Sequence, residues 1–430
     1  MATQLNDWLS IDKASGTGNA QITLTASSYG ELVDRVASLK IQAQSTNAIL
    51  NIRQKAYTPI EKNDNYFWVE FGGTDGTISG LTNQYTDMYH SFDGSTWLTT
   101  PNTLSMGSNR LVYFKNNSKK ISERKKELTI SFNSNAKVGG DISSITDMTD
   151  SACQKLFYNN EYLTDASELI LPWNTLNQNC YNSMFFGCTS LTKAPVLPAT
   201  TLALNCYESM FKGCTSLTKV FALPATTLAY GCYFHMFYGC TKLTTAFELL
   251  PATTLETYCY EGMFRGCTSL TAAPTLPATT LAGDCYSHMF RDCTSLVNAP
   301  SILPATTLTS YCYENMFAGC TSLTTAPALP ATILAEYCYK DMFRDCTSLT
   351  NAPLLPATTL VQSCYIYMFY GCTNLNYVKM LATENTTKDN LFAWLSGVSS
   401  TGTFVKHPDA NIPTGEDGIP RRWTVETATE

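Results

Sequence analysis

Basic charge, histidine and long apolar runs are all scarce in this chain. It has 28 Lys and Arg against 35 Asp and Glu, for a formal net charge of −7 over 430 residues. That balance, with no basic patch along a repeating face, argues against a nucleic-acid binder. The one dense basic run, KNNSKKISERKK from Lys115 to Lys126, reads as a solvated loop. No stretch approaches the roughly 18 apolar residues of a membrane span, so no membrane insertion is expected. The start, MATQLNDWLSIDK, has neither a basic opening nor an apolar core, so the expectation is a chain folded in a cytoplasm. It would leave the cell by lysis or inside an assembled particle. There is no G-x-S-x-G, P-loop, H-E-x-x-H or dinucleotide fingerprint. Glu208, Glu261 and Glu314 recur at one repeat position, separated by whole rungs, and no lone acid–base pair stands out. No catalytic residue, cofactor or metal is therefore expected, and the chain is not expected to be an enzyme.

Cysteine and repetition are what the chain does have. Sixteen of its seventeen cysteines form eight pairs of the form C-x7-C, from Cys180 and Cys188 to Cys364 and Cys372. Successive pairs follow at 26 residues, or 27 where one residue is inserted in FELLPATT and PSILPATT. The unit is C-Y-x-x-M-F-x-[G/D]-C-T-x-L, a variable strip, then L-P-A-T-T-L, and a fixed period of this length means a solenoid. In PATTLALNCYESMFKG, Leu202, Cys206 and Met210 fall at i, i+4, i+8, and Tyr207 and Phe211 at i, i+4, which predicts a short helix with one apolar stripe. A Thr of the T-T pair caps it after Pro198. The residue before the second cysteine, Gly in six copies and Asp292 and Asp345 in two, tolerates the left-handed backbone that ends a helix. CTSLTKAPVLP then predicts a short parallel strand that stops at the proline. Each unit is expected to be one strand, one turn and one short helix.

A degenerate copy precedes these. In ACQKLFYNNEYLTDASELILPWNTL, Leu156-Phe157 stands for Met-Phe, Asn159 for the capping glycine and Leu163 for the strand leucine. Both cysteine positions are lost, to Ala152 and Asn160, and Cys153 falls at the tyrosine position. An end cap needs such a copy, because a terminal unit faces water on one side. The loss also bears on the cysteines. C-x7-C matches no usual zinc spacing, and His235 and His288 lie two rungs apart. Disulfides would require stacked cysteines to meet a strict geometry. The favoured role is packing by small, reduced, buried side chains in ladders.

The motif CTSLTTAPALPATILAEYCYKDMF resembles the BspA-like (Treponema-type) leucine-rich repeats over roughly Ala152 to Met380, departing from their short form in a longer unit and an extra A-P. That resemblance implies a curved solenoid with a parallel sheet, used for adhesion and protein binding. WLSIDKASGTGNAQITLTASSYGELVDRVASLKIQAQSTNAILNIRQKA, Trp8 to Ala56, resembles a BACON domain, an immunoglobulin-like module of gut bacteria and their phages. From the residues alone, AQITLTA, ASLKIQAQ and ILNIRQKA alternate apolar and polar positions, as in a small β-sandwich.

The expected architecture is multidomain. A BACON-like β-sandwich spans 1–57 and a second small β-domain 58–150. The α/β leucine-rich-repeat solenoid follows over 151–380, with one cap and eight repeats, and a C-terminal cap and tail over 381–430. In the second domain Trp68, Tyr89 and Trp97 are core candidates first and sugar-stacking candidates second. In the C-terminal cap Leu391, Trp394 and Leu395 predict a short amphipathic helix, GTFVKH and RRWTVE two strands, and the end a loosely held tail.

Positions that vary between copies face solvent and are the candidate contacts. One set follows each L-T or L-V and includes Lys193, Lys219, Thr245, Asn298, Thr325 and Asn351. The other is aromatic: Tyr230, Phe234, Tyr238 and Tyr258, followed later by Tyr337, Tyr367 and Tyr370. The function these readings favour is a phage virion fibre, decoration or tail-associated protein. Its N-terminal region would anchor to other virion proteins, its repeats would bind a host surface protein or glycan, and it would assemble as a homotrimer. The alternatives are a bacterial cell-surface adhesin and an intracellular interaction scaffold.

Overall fold

The computed structural model describes residues 62–429 apart from 84–86, 119–121, 124–125 and 386–387. Ahead of these it describes five strands: Ala2–Thr3, Leu9–Ile11, Leu24–Ala26, Arg35–Ala43 and Thr46–Gln54. Contacts divide the chain into two units, Met1–Lys62 and Asn63–Glu430.

In the first unit, the alternating segments become antiparallel strands. Arg35–Ala43 pairs with Thr46–Gln54 in register from Arg35↔Gln54 to Ala43↔Thr46. Ala2–Thr3 adds to the other edge of Arg35–Ala43, and Leu9–Ile11 pairs with Leu24–Ala26. The turns expected between these strands lie outside the described residues.

The second unit opens with a six-stranded sheet. Its spatial order is Leu163–Ile170, Ala136–Asp141, Phe67–Phe71, Leu111–Asn116, Met88–Ser91, Leu98–Thr99. Only the first of these neighbouring pairs is parallel. Phe67, Phe71 and Phe132 bury their rings here, and Phe157 of the degenerate copy lies 6.1 Å from Phe67 and 6.3 Å from Phe132. One hydrophobic core runs from Phe67 through the repeats to Trp423. Residues 63–150 are thus continuous with the solenoid and cover its first rung. Trp68 is fully buried against Gly139, where an added methyl would run into the indole. Tyr89 and Trp97 are half-buried, with the Lys115 ammonium 6.0 and 4.3 Å from their ring centres.

The expected helices are replaced by another structure: among the described residues of the repeats no α-helix forms. The segment from Asn179 to Cys188 instead coils in steps of four residues. Left-handed residues recur at Asn179, Ser183 and Gly187, with φ of 54°, 54° and 70°. Between them the amides alternate in their partners. Those of Asn182, Met184, Phe186 and Cys188 bond the carbonyl three residues back. Those of Asn179, Tyr181, Ser183, Phe185 and Gly187 bond Leu204, Cys206, Glu208, Met210 and Lys212 of the next rung, at 2.8–2.9 Å. An α-helix would satisfy these groups internally, whereas here half of them hold neighbouring rungs together. The left-handed positions are filled largely by Asn, Asp, Gly, Ser and His across the copies, and Asn, Asp, His and Gly are the residues that tolerate this backbone best.

The expected strand is also reduced. On the extended side of each rung, parallel pairing narrows to single residues such as Lys219↔Thr245, Ile302↔Ala328 and Thr201↔Thr227. The A-P and L-P prolines lack an N–H, so the ladder does not extend past them.

Inside, identical residues stack on one another. Nine phenylalanines from Phe157 to Phe369 form one file with ring centres 5.3–5.7 Å apart. Eight tyrosines from Tyr181 to Tyr365 form a second at 5.6–5.9 Å. Such stacks contribute about 0.5–1.5 kcal/mol per pair beyond area burial.

The first cap follows the expected alignment. The Cys153 amide bonds Cys180 as the Tyr181 amide bonds Cys206, and Asn159 has a φ of 55°. At the other end, a short 3-10 turn, Lys388–Leu391, and the turns after it replace the expected helix. They form another rung, with Ala393 and Gly397 left-handed and Trp394 stacked 6.3 Å from Tyr365. The expected strands are Thr403–Lys406 and Thr424–Thr427, which continue a parallel sheet from Tyr377–Met380. The tail is not loose over this stretch, because Trp423 is buried and its indole N–H donates to the Ser399 carbonyl at 2.9 Å.

Candidate functional site

All seventeen cysteines are free and buried. The second of each pair donates its S–H to the phenylalanine carbonyl of the preceding rung, as Cys214 does to Phe185 at 3.0 Å and Cys372 to Phe343 at 2.9 Å. That carbonyl also accepts an amide within its own rung, so the thiol fills its second lone pair. Burial pushes these thiols up, Cys188 and Cys240 to about 12. They are the packing ladder read from the sequence. Among the described residues no group of three or more His, Cys, Asp or Glu side chains could hold a metal ion, and no helix is long and apolar enough to cross a membrane.

The first candidate set lies on the extended side of the rungs. Lys193, Lys219, Thr245, Asn298, Thr325 and Asn351 are all exposed, and parallel bridges join Lys219 to Thr245 and Asn298 to Thr325. Lys193 is tied to Asp165 at 3.0 Å. These residues present a polar strip along successive rungs.

The aromatic set converges on the turn side. Tyr230, Phe234 and Tyr258 come together with Asn205, Glu208, Gly231 and Glu261 around a cavity of about 340 Å³. Tyr258 stands at 79° to Tyr230 and 90° to Phe234, with ring centres 5.4 and 6.3 Å away. Tyr238 does not join them. Its ring lies 4.6 Å from the Lys212 ammonium and 5.3 Å from the Arg265 guanidinium. Tyr367 and Tyr370 pack against each other, with Arg344 beside both.

Neighbouring rungs supply the electrostatics. Glu208 accepts from the Asn182 amide at 2.9 Å, and burial raises its carboxyl above the usual range. Glu261 is pushed up to about 7, chiefly by burial and then by the charges of Asp284 and Glu314, with Arg265 opposing. Burial and the nearby Lys212 and Arg265 push His235 down to about 4. The cavity is therefore acidic and aromatic, and among the described residues no lysine or arginine lines it. Sequence reasoning found its rings and set aside its two glutamates as whole rungs apart. Stacking places Glu208, Phe234 and Glu261 on three successive rungs, which makes rung separation a short distance.

Residues 263–399 match the BspA type leucine rich repeat region, in six copies. Residues 124–248 match a family described as Mycoplasma protein of unknown function, DUF285. No curated protein matches the chain. Two solved structures are similar in part. One is a leucine rich cell surface protein from Faecalibacterium prausnitzii, at 15% identity over 71% of this chain and 81% of that one, with a TM-score of 0.33. The other is a leucine-rich repeat protein from Bacteroides ovatus, at 14% identity over 72% and 97%, with a TM-score of 0.20.

Proposed function

We propose that a chain with BspA-like repeats and an acidic, aromatic groove is a non-catalytic adhesion scaffold that binds a partner protein through the turn side of its solenoid. The observation that carries this reading is the groove itself, where three rings and two half-buried carboxylates converge from neighbouring rungs. Aromatic residues in a pocket are the usual anchors of a binding surface. Display at a cell surface is the setting supported by the resemblance to BspA-like adhesins. The virion setting rests on the resemblance of the N-terminal region and has no counterpart among the matches.

The test is binding of the purified full chain to intact bacterial cells and to mucin-coated surfaces. Phe234→Ala is expected to lower binding severalfold and Thr325→Ala to leave it unchanged. Loss with Thr325→Ala alone would move the contact to the extended side, and no binding at all would overturn the adhesion role. For residues 1–57 the proposed role is anchoring, so removal of residues 1–56 should abolish surface or particle attachment and spare binding. Attachment that survives the deletion removes the anchor role.

A further inference from the structure

The groove's chemistry selects a particular kind of ligand. Tyr258 meets Tyr230 and Phe234 nearly at right angles, so the rings wall a corner rather than form a flat platform for a sugar. Ring faces attract cations through their quadrupole. Elsewhere on the same side the chain's own basic residues already satisfy exposed rings: Lys212 and Arg265 lie over Tyr238, and Arg344 over Tyr367 and Tyr370. Over Tyr230, Phe234 and Tyr258 no lysine or arginine of the described residues lies, and the His235 imidazole packs 4.0 Å from Phe234.

The space also has a structural origin. Asn205, Gly231 and Tyr258 occupy the same left-handed position on successive rungs. Glycine at the middle one leaves the floor open, and a methyl there would press on the Asn205 side-chain oxygen. The surrounding charge narrows the ligand further. Glu208 and Glu261 line the cavity; Asp284 and Glu314 act on Glu261 from the following rungs, while the cations nearby, Lys212 acting on Glu208 and Arg265 on Glu261, do not line it. An ammonium whose neighbouring atoms are uncharged is favoured there, and one that carries a phosphate is repelled.

Resting on the binding role above, we propose that this groove takes a lysine side chain of the partner protein. Its aliphatic stem lies between the three rings and its ammonium beside Glu208 and Glu261, and N-methylation strengthens the contact. Methyl groups spread the charge and weaken its hydration, which suits an aromatic corner better than bulk water.

Calorimetric titration of the full chain tests this with four probes: Nα-acetyl-lysine methylamide, its Nε-trimethyl form, the neutral norleucine analogue, and phosphocholine. The trimethyl probe is expected to bind about tenfold tighter than the norleucine analogue, and phosphocholine more weakly than either lysine probe. Glu261→Gln and Phe234→Ala should each weaken the trimethyl probe about tenfold, with circular dichroism unchanged, while Tyr238→Ala leaves it intact. Equal affinity for the norleucine analogue, tighter binding of phosphocholine, or indifference to both groove variants would overturn the assignment. If cells or mucin are bound but no lysine probe is, the lysine assignment falls while the adhesion role stands.

Discussion

The two sides of each rung are made from one short repeat yet are held to their neighbours in opposite ways. On the turn side, five amide–carbonyl bonds, two aromatic stacks and a thiol–carbonyl contact join a rung to those beside it. On the extended side, prolines cut the contact to single-residue bridges. Cohesion is thus concentrated where the repeat is most uniform. A binding surface can vary on the outward positions of that same side, because the bonds there come from the backbone and not from the side chains that change. Glu208, Phe234, Glu261 and Glu314 occupy one half-buried position that carries either a carboxylate or a ring, and at Ser287 the same position is buried, while the rung beneath them is unaltered.

The largest effect that would break this contrast is expected inside. Phe264→Ala removes one ring from the middle of the nine-membered file and should destabilise by about 3–5 kcal/mol, read as a fall in the urea midpoint. An unfolding curve that matches the parent would show that the file contributes little. Next comes the left-handed position. Gly239 has a φ of 73° and room beside Gly213 for a methyl, so Gly239→Ala should cost about 1–2 kcal/mol from backbone strain alone. Gly239→Asp should cost less, because Asp292 and Asp345 hold the same conformation at 62° and 58°.

A pH comparison sharpens the outward position. The Glu261 carboxyl is pushed up to about 7 in the folded chain, from an ordinary 4.5, so its protonated form is favoured by folding. The stability it contributes is full below pH 4.5 and is lost as the pH rises through about 7. Glu261→Gln should remove that slope, so its advantage over the parent grows between pH 5 and 8 and vanishes near pH 4. His235 and His288, both pushed down to about 4, give the opposite trend in parent and variant alike and cancel in the difference. A difference independent of pH would mean that Glu261 is well solvated.

The smallest effect concerns the tyrosine file. The hydroxyls of Tyr181, Tyr207, Tyr233, Tyr260, Tyr286 and Tyr313 are buried without a hydrogen-bond partner. Tyr260→Phe should therefore be neutral or stabilising by up to about 1 kcal/mol, measured by the same urea titration. A loss of more than that would reveal a partner for the hydroxyl.

The period, the caps and the exposed positions of the extended side were legible in the sequence because stacking makes the chain compare itself, whereas Ser287, at a variable position of the turn side, is buried. Cys153 in a tyrosine slot and Phe157 at the head of a file were both readable from alignment of the copies. The backbone between them was not. Spacing at i, i+4, i+8 suits an α-helix over one step, but at 3.6 residues per turn the third residue has drifted by about 80°. Cys180, Met184 and Cys188 are all fully buried, which requires a four-residue coil. The signal that distinguishes the two was present in Asn179, Ser183 and Gly187, of which only the last was read. The groove was half legible for a related reason. Tyr238 follows Phe234 by four residues and was grouped with it, yet its ring belongs to Lys212 and Arg265 on the neighbouring rungs. Contacts between rungs have no trace in local spacing.

The thiol ladder has a further consequence, in reactivity. A thiol attacks as its thiolate, and with Cys240 near 12 only about one in 10⁵ is ionised at neutral pH while the rung is shut. Two such latent groups sit in each of eight copies, spaced evenly along the array. Alkylation then measures opening rather than exposure at rest. The order in which the cysteines acquire label in mild denaturant is the order in which the rungs part, so the chain carries a position-by-position record of its own unravelling.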